Sequence, residues 1–297
     1  MGNKRVKGAL LALFSAGLWA NIGVLARFIY SFGADPLFVV TARAVFAAVL
    51  SFIGIGLLNP KALKLQPWQI LLCMCYGTIA IGANFALYFY AIKFTTIPIA
   101  VTLIYTNPIF VIVLSSLFFR EKLQKMHLLA STLLLVGIWC LVGAPVTFVS
   151  SENLQGAVFA FGCALTIGVY NVFGKRLLTR IPPWSILTYA LLGGSVALLG
   201  LWSTISRSLP KLSFPAWLSI FLLAVGPTIL GYGLYLKAIE NIGPSTSAIL
   251  ATTEPLFATL LAWVIFRERI TMVQGVGMCI VLLGASLTYI GRPVVKS

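Results

Sequence analysis

The polar positions of this chain are grouped at the ends of long apolar stretches instead of recurring within them. Ten windows run almost free of Asp, Glu, Lys and Arg: 8–26, 36–60, 65–92, 94–119, 126–151, 153–174, 181–206, 212–236, 241–266 and 270–291. A bilayer core needs about 20 mostly apolar helical residues, so each window predicts a transmembrane helix. Eight windows carry no such charge at all; the second holds only Arg43 and the ninth only Glu254. The breaks between windows are short and rich in turn residues, as at Gly33–Pro36, Asn59-Pro60, Ile181–Pro183, Leu209-Pro210 and Gly243-Pro244. The expected fold is therefore an all-α polytopic membrane protein of ten transmembrane helices, with no room for a soluble domain.

Composition agrees with the pattern. Of 297 residues, 60% are hydrophobic and 9% charged, against about 25% charged in a soluble domain. That excludes a soluble enzyme and a disordered chain. The basic start, Lys4-Arg5-Lys7, fits a leader, but the apolar run from Gly8 to Ala26 is too long for one. It reads as the first membrane helix.

A net charge of +15 would suggest nucleic acid in a soluble protein. Here it follows the excess of Lys and Arg in cytoplasmic loops. With the N-terminus inside, 14 basic residues fall inside and 6 outside, with Arg43 in the membrane. Both termini are expected to be cytoplasmic and no nucleic-acid partner is expected. Five cysteines without CxxC spacing and a lone histidine, His127, give no disulfide framework and no metal site. No catalytic residues, metal or cofactor are expected.

The sequence repeats at an offset of 147. Residues 87–123 lie without gaps over 234–270, and 12 of 37 positions are identical, including Tyr88/Tyr235, Thr106/Thr253, Pro108/Pro255 and the pair Arg120-Glu121/Arg267-Glu268. The first and sixth helices each carry a stripe of small residues, Gly8, Ala12, Ala16, Ala20 and Gly156, Ala160, Ala164, Gly168, which permits close helix packing. Five helices per copy is an odd number, so the second copy enters the membrane upside down. The division expected is 1–147 and 148–297, two inverted five-helix repeats (5+5) forming one transport domain. Such repeats place a site near the midplane between the halves.

The chain resembles the drug/metabolite transporter superfamily, and within it the EamA group of ten-helix carriers. The resemblance rests on LYFYAIKFT…NPIFVIVLSSLFFREKL in the first half and LYLKAIENIGPS…EPLFATLLAWVIFRERI in the second. The arginine in TARAVFAAVL and the tryptophan in GLWANIGV belong to the same habit. It spans essentially the whole chain and implies transport of small metabolites, often export of amino acids. Relatives that move nucleotide sugars, choline or other solutes leave the substrate open.

Glu254 is the foremost candidate site residue. It lies about ten residues into its helix, roughly 15 Å deep. A mid-membrane carboxylate costs about 2.5–3.5 kcal/mol and usually faces a cavity or a partner. The expected roles are proton coupling or contact with a substrate amine; the alternative is a permanent structural pair with Arg43. Arg43, roughly 10 Å deep in the second helix, is the candidate for a substrate carboxylate.

Asn107-Pro108 and Glu254-Pro255 sit at matching places and predict hinges, because a mid-helix proline frees the carbonyl four residues earlier, here Ile104 and Ala251. Pro227 predicts a third bend, without a counterpart at Ala80. Asn84, Tyr88, Tyr105, Asn107, Asn171 and Tyr235 are further candidates for substrate binding or coupling, with Asn21, Tyr170 and Tyr232 as additional polar groups at depth. Trp19 is a weaker candidate, expected to pack. Arg120-Glu121 and Arg267-Glu268 are expected to be local ion pairs or caps. Small residues such as Gly137 and Gly284 permit a homodimer contact.

The function expected is a secondary transporter, an exporter, of small polar metabolites such as amino acids, multi-pass in the cytoplasmic (inner) membrane. A lipid-linked sugar or nucleotide-sugar translocator is the alternative. A membrane enzyme would need a nucleophile or metal site that the sequence does not offer, and no GxxxxGK[ST] loop points to ATP hydrolysis.

Overall fold

The computed structural model describes residues 2–119, 125–142, 151–205 and 212–290. Every regular element among them is helical. In chain order they are α1 (Gly2–Tyr30), α2 (Pro36–Leu58), α3 (Pro67–Gly77 and Asn84–Phe94), α4 (Ile97–Ile104 and Asn107–Phe119) and α5 (Lys125–Val142). Then follow α6 (Ser151–Leu178), α7 (Pro183–Ile205), α8 (Phe214–Leu223 and Tyr232–Ile242), α9 (Pro244–Ala251 and Glu254–Phe266) and α10 (Met272–Ile290). Among the described residues nine of these have the length and hydropathy to cross a bilayer, and α10 adds a shorter apolar stretch, Met272–Leu287. The protein is a multi-pass membrane protein.

Proline and polar caps start the helices. A proline in the first turn loses no intrahelical hydrogen bond and brings a helical φ; Pro36, Pro67, Pro183, Pro215 and Pro244 all stand there. Asp35 accepts a 2.9 Å hydrogen bond from the Phe38 N–H and so caps α2. Gly243, at φ +82°, makes the tight link from α8 to α9.

The helix bounds recur at the same offset of 147 as the sequence. α2 maps onto α7 and both segments of α4 map onto both segments of α9 without a residue's slip. α3 and α8 each contain a π-helical turn, at Thr78–Ala83 and Ala224–Gly231. A π turn spans Pro227, where a bend is expected, and it has a first-half counterpart around Ala80 that has no proline. The π turn is therefore a property of the framework, not of one residue.

The first helix of each half packs mainly on the other half: α1 lies against α8 and α9, and α6 against α3 and α4. Their small-residue stripes face inward. Ala12, Ala16, Ala160 and Ala164 are fully buried, while Leu10, Phe14, Leu154 and Val158 point outward. Large apolar side chains outside and small ones inside suit a lipid surround. α2 packs on α7, α7 on α3, and α5 on α10.

Gly137 and Gly284 serve this last seam. A Cβ on Gly137 would stand 2.7 Å from the Val281 side chain, and one on Gly284 would stand 3.0 Å from the Ala130 carbonyl. Both glycines are used within the chain, so they offer no basis for a dimer. Glu268 does not pair with Arg267 as expected. Arg267 ends α9 in the left-handed conformation, which turns Glu268 toward Arg27 of α1 at 2.8 Å. Arg120 and Glu121 lie outside the described residues.

Candidate functional site

The breaks in α4 and α9 are built alike. The chain leaves the helix at Ile104 and Ala251 and starts again at Asn107 and Glu254. Thr106 and Thr253 donate their hydroxyls to Leu103 and Leu250 carbonyls, at 2.6 and 2.7 Å. Pro108 and Pro255 therefore stand in the first turn of a new helix, where no backbone donor is missed. The expected kink inside a continuous helix is instead a full break with a restart.

The residue that opens each new segment differs in chemistry. The Asn107 amide donates to the freed Ile104 carbonyl at 3.1 Å. An ionised carboxylate has no hydrogen to give, so Glu254 cannot do the same for Ala251. The Tyr105 hydroxyl, in the break of α4, is the hydrogen-bonding neighbour that Glu254 faces. It keeps partial exposure, whereas Asn107 is buried.

Arg43 enters the same region from α2 and is 5% exposed. Its Nε donates to Thr228 Oγ1 at 2.6 Å, and its guanidinium lies 4.5 Å from the centre of the Phe85 ring. Thr228 in turn donates to the Leu223 carbonyl at 2.7 Å, across the π turn of α8. Arg43 Nη2 is buried without a hydrogen-bond partner. Glu254, Tyr88 and Tyr232 lie within electrostatic reach of Arg43, yet no Arg43–Glu254 ion pair is present. Among the described residues the ion pair within 4 Å is Arg27–Glu268.

The other candidates divide into a phenol near the charges and a set of ties. Tyr88 lies within electrostatic reach of Glu254, Arg43 and Tyr30. Trp19 donates to the Pro227 carbonyl at 3.0 Å and meets Tyr232 and Tyr235 edge to face, at 5.1 and 5.0 Å. It thus joins α1 to the bend of α8. Tyr235 donates to Asn171 at 2.7 Å, Tyr170 to the Tyr232 carbonyl at 3.1 Å, and Tyr76 to the Tyr170 carbonyl at 2.8 Å. These form a packed polar-aromatic layer beside the charges. Asn84 is engaged with Thr166 at 2.8 Å and with Cys163 at 3.2 Å, a tie between α3 and α6. Asn21 bonds back to the Gly17 carbonyl of its own helix.

Sequence reasoning missed Thr228 and Phe85. Thr228 follows Pro227 by one position, and its repeat partner is Ile81, so the repeat gave no polar signal there. Phe85 is one of 20 phenylalanines, and its role depends on where Arg43 lands. No cluster of three His, Cys, Asp or Glu residues is found among the described residues.

Known proteins place this architecture. A transporter of Archaeoglobus fulgidus, named as uncharacterized, is 28% identical over 90% of this chain and 92% of its own length. The inner membrane transporter YicL of Salmonella typhimurium, also named as uncharacterized, is 26% identical over 95% of this chain and 94% of its own. A solved crystal structure superposes with a TM-score of 0.82 over 95% of this chain and 96% of that one, at 22% identity, and shares the fold. Two stretches, 6–143 and 154–290, each match the EamA-like transporter family, and together they take in nearly the whole chain. The protein belongs to the EamA-like transporter family.

Proposed function

We propose that the protein is a secondary transporter that exports small polar metabolites of the amino-acid type. The observation that supports this reading is a pair of opposite charges held apart in a membrane interior. Arg43 has a nitrogen without a partner, and Glu254 is held by a neutral phenol. Buried charges are normally paired, so a gap between two of them suits a ligand that brings both complementary charges. A zwitterion does so: its carboxylate to Arg43 and its ammonium to Glu254. Tyr88 and Tyr105 supply neutral hydrogen-bonding groups beside it, with Trp19, Asn171 and Tyr235 behind them.

The two halves are read as inverted repeats, with both termini in the cytoplasm and the site near the midplane. Alternating access would use the breaks before Pro108 and Pro255 and the π turns as bending points. Helix breaks and π turns are interruptions of the regular ladder where few hydrogen bonds resist a change of angle.

The test is efflux from proteoliposomes loaded with a labelled mixture of amino acids and other metabolites, with and without a pH gradient, for the wild type and Glu254→Gln. Selective efflux that speeds up with the gradient and loses that response in the variant would establish a proton-coupled exporter. Selective efflux indifferent to gradient and variant would leave a facilitator or exchanger with a structural Glu254. Absence of efflux for every component would overturn the amino-acid reading in favour of a lipid-linked or nucleotide-linked sugar.

A further inference from the structure

At one end of the bundle the start of α2 and the ends of α3 and α7 line a half-open cavity of about 600 Å³. Its wall includes Asp35 and Leu37 at the start of α2, Phe89, Tyr90 and Lys93 at the end of α3, and Ile205 at the end of α7. The volume falls in the range of small-molecule sites, about 300–1,000 Å³. Asp35 and Lys93 are both exposed, carry opposite charges and make no ion pair with each other. Asp35 uses Oδ1 to cap α2. Lys93 Nζ stands 5.7 Å from the Phe94 ring centre, a loose contact. Between the charges the wall is apolar and aromatic, with Tyr90 stacked on Phe159.

Two phenols lie within electrostatic reach of charges at both places. Tyr30, at the end of α1, lies within electrostatic reach of both Asp35 and Arg43. Tyr88 follows next and reaches Tyr30, Arg43 and Glu254.

We propose that this cavity is a second binding station for a zwitterionic solute with an apolar side group. Asp35 takes the ammonium, Lys93 takes the carboxylate and the Phe89–Tyr90 wall takes the apolar group. The inference rests on the transporter reading of the Arg43–Glu254 site and adds a waypoint to it. The two charges act as a pair without contact, as in the deeper site, but in a wetter place. Binding there is weaker and sets how well the solute is captured or released at that face alone.

The experiment is sided transport of labelled alanine, leucine and phenylalanine in oriented vesicles of wild type, Asp35→Asn and Lys93→Met. Asparagine caps a helix as well as aspartate does, so the first variant removes charge and keeps the fold; methionine keeps most of the lysine stem. Each variant is expected to raise the half-saturation concentration at the Asp35/Lys93 face about two- to fivefold, the scale of an exposed charge contact. The maximal rate and the half-saturation at the opposite face stay unchanged. Equal changes at both faces, a change in maximal rate alone, or no change at either face overturn the inference while the transporter reading stands. Wild-type vesicles that move none of the three solutes overturn both.

Discussion

Two helix crossings related by the 147-residue offset have opposite interiors. Where α7 meets the π turn of α3, the contact is backbone on backbone. A Cβ on Gly77 would overlap the Ala190 backbone, and one on Gly193 would overlap Met74. A Cβ on Gly194 would stand 3.1 Å from the Gly77 carbonyl. At the matching crossing of α2 and α8, position 190 becomes Arg43, 193 becomes Phe46 and Ile81 becomes Thr228. The same framework that seals one crossing with glycine holds a guanidinium, a ring and a hydroxyl in the other. The breaks in α4 and α9 show a similar split: Asn107 closes its own carbonyl, while Glu254 is turned toward Tyr105. Symmetry supplies the bends, and departures from it supply the charge.

The largest effect is expected at the sealed crossing. Gly77→Leu forces α3 away from α7, because the atoms in the way are backbone and cannot move aside. Overpacking costs about 1–3 kcal/mol where side chains can adjust, so this variant should lose more than that and fail to yield a folded, monodisperse protein. Gly226→Ala, in the π turn of α8 with nothing within 4 Å of the added carbon, should leave thermal stability in detergent unchanged. Equal melting temperatures for the two variants would falsify the tight crossing.

At the open crossing the expected loss is in transport, not in folding. Arg43→Gln keeps a polar group for Thr228 but removes the charge, and at least a tenfold fall in efflux is expected, about 1.4 kcal/mol. Arg43→Lys keeps the charge but loses the planar fork that meets a carboxylate on two sides, so it should fall between. If Arg43→Gln transported like wild type while Arg43→Lys did not, geometry and not charge would be the requirement at this crossing.

The part of this comparison that the sequence displays is the part set by local composition. Helix number follows from charge-free windows because a bilayer tolerates little else. The repeat is legible because prolines, Arg-Glu pairs and Leu103/Leu250 recur in register. The candidate charges stand out because each is alone in its window. What stays hidden is partner choice across long separations. Arg43 and Thr228 are 185 positions apart, and Thr228 looks like one more hydroxyl in an apolar run. Glu268 has Arg267 and Arg269 as neighbours, yet it pairs with Arg27, because the left-handed turn at Arg267 decides its direction. The π turn at Thr78–Ala83 has no proline to announce it; it is set by how α3 fits against α7.

A last pair of variants should separate the contact that joins the two helix breaks from the tie that closes α4 on itself. Tyr105→Phe removes a single donor from Glu254. A hydrogen bond to a charged group contributes about 1.5–3 kcal/mol, so if that bond persists in the rate-limiting state, efflux should drop by roughly ten- to a hundredfold with little change in melting temperature. Water reaching the partly exposed carboxylate would replace some of it and bring the loss toward the lower end. Asn107→Ala removes the tie to the Ile104 carbonyl and should cost about 1 kcal/mol of stability, with efflux nearly unchanged, since that amide faces its own helix and not the charges. The prediction is thus a crossed pair: the contact from Tyr105 across to Glu254 of α9 changes rate without stability, and the tie from Asn107 to its own helix changes stability without rate. Parallel measurements of melting temperature and efflux on the two variants check it. Were Asn107→Ala to slow efflux as much as Tyr105→Phe, the amide that closes α4 would belong to the transport site as fully as the phenol beside Glu254, and the asymmetry between the halves would lie in charge alone.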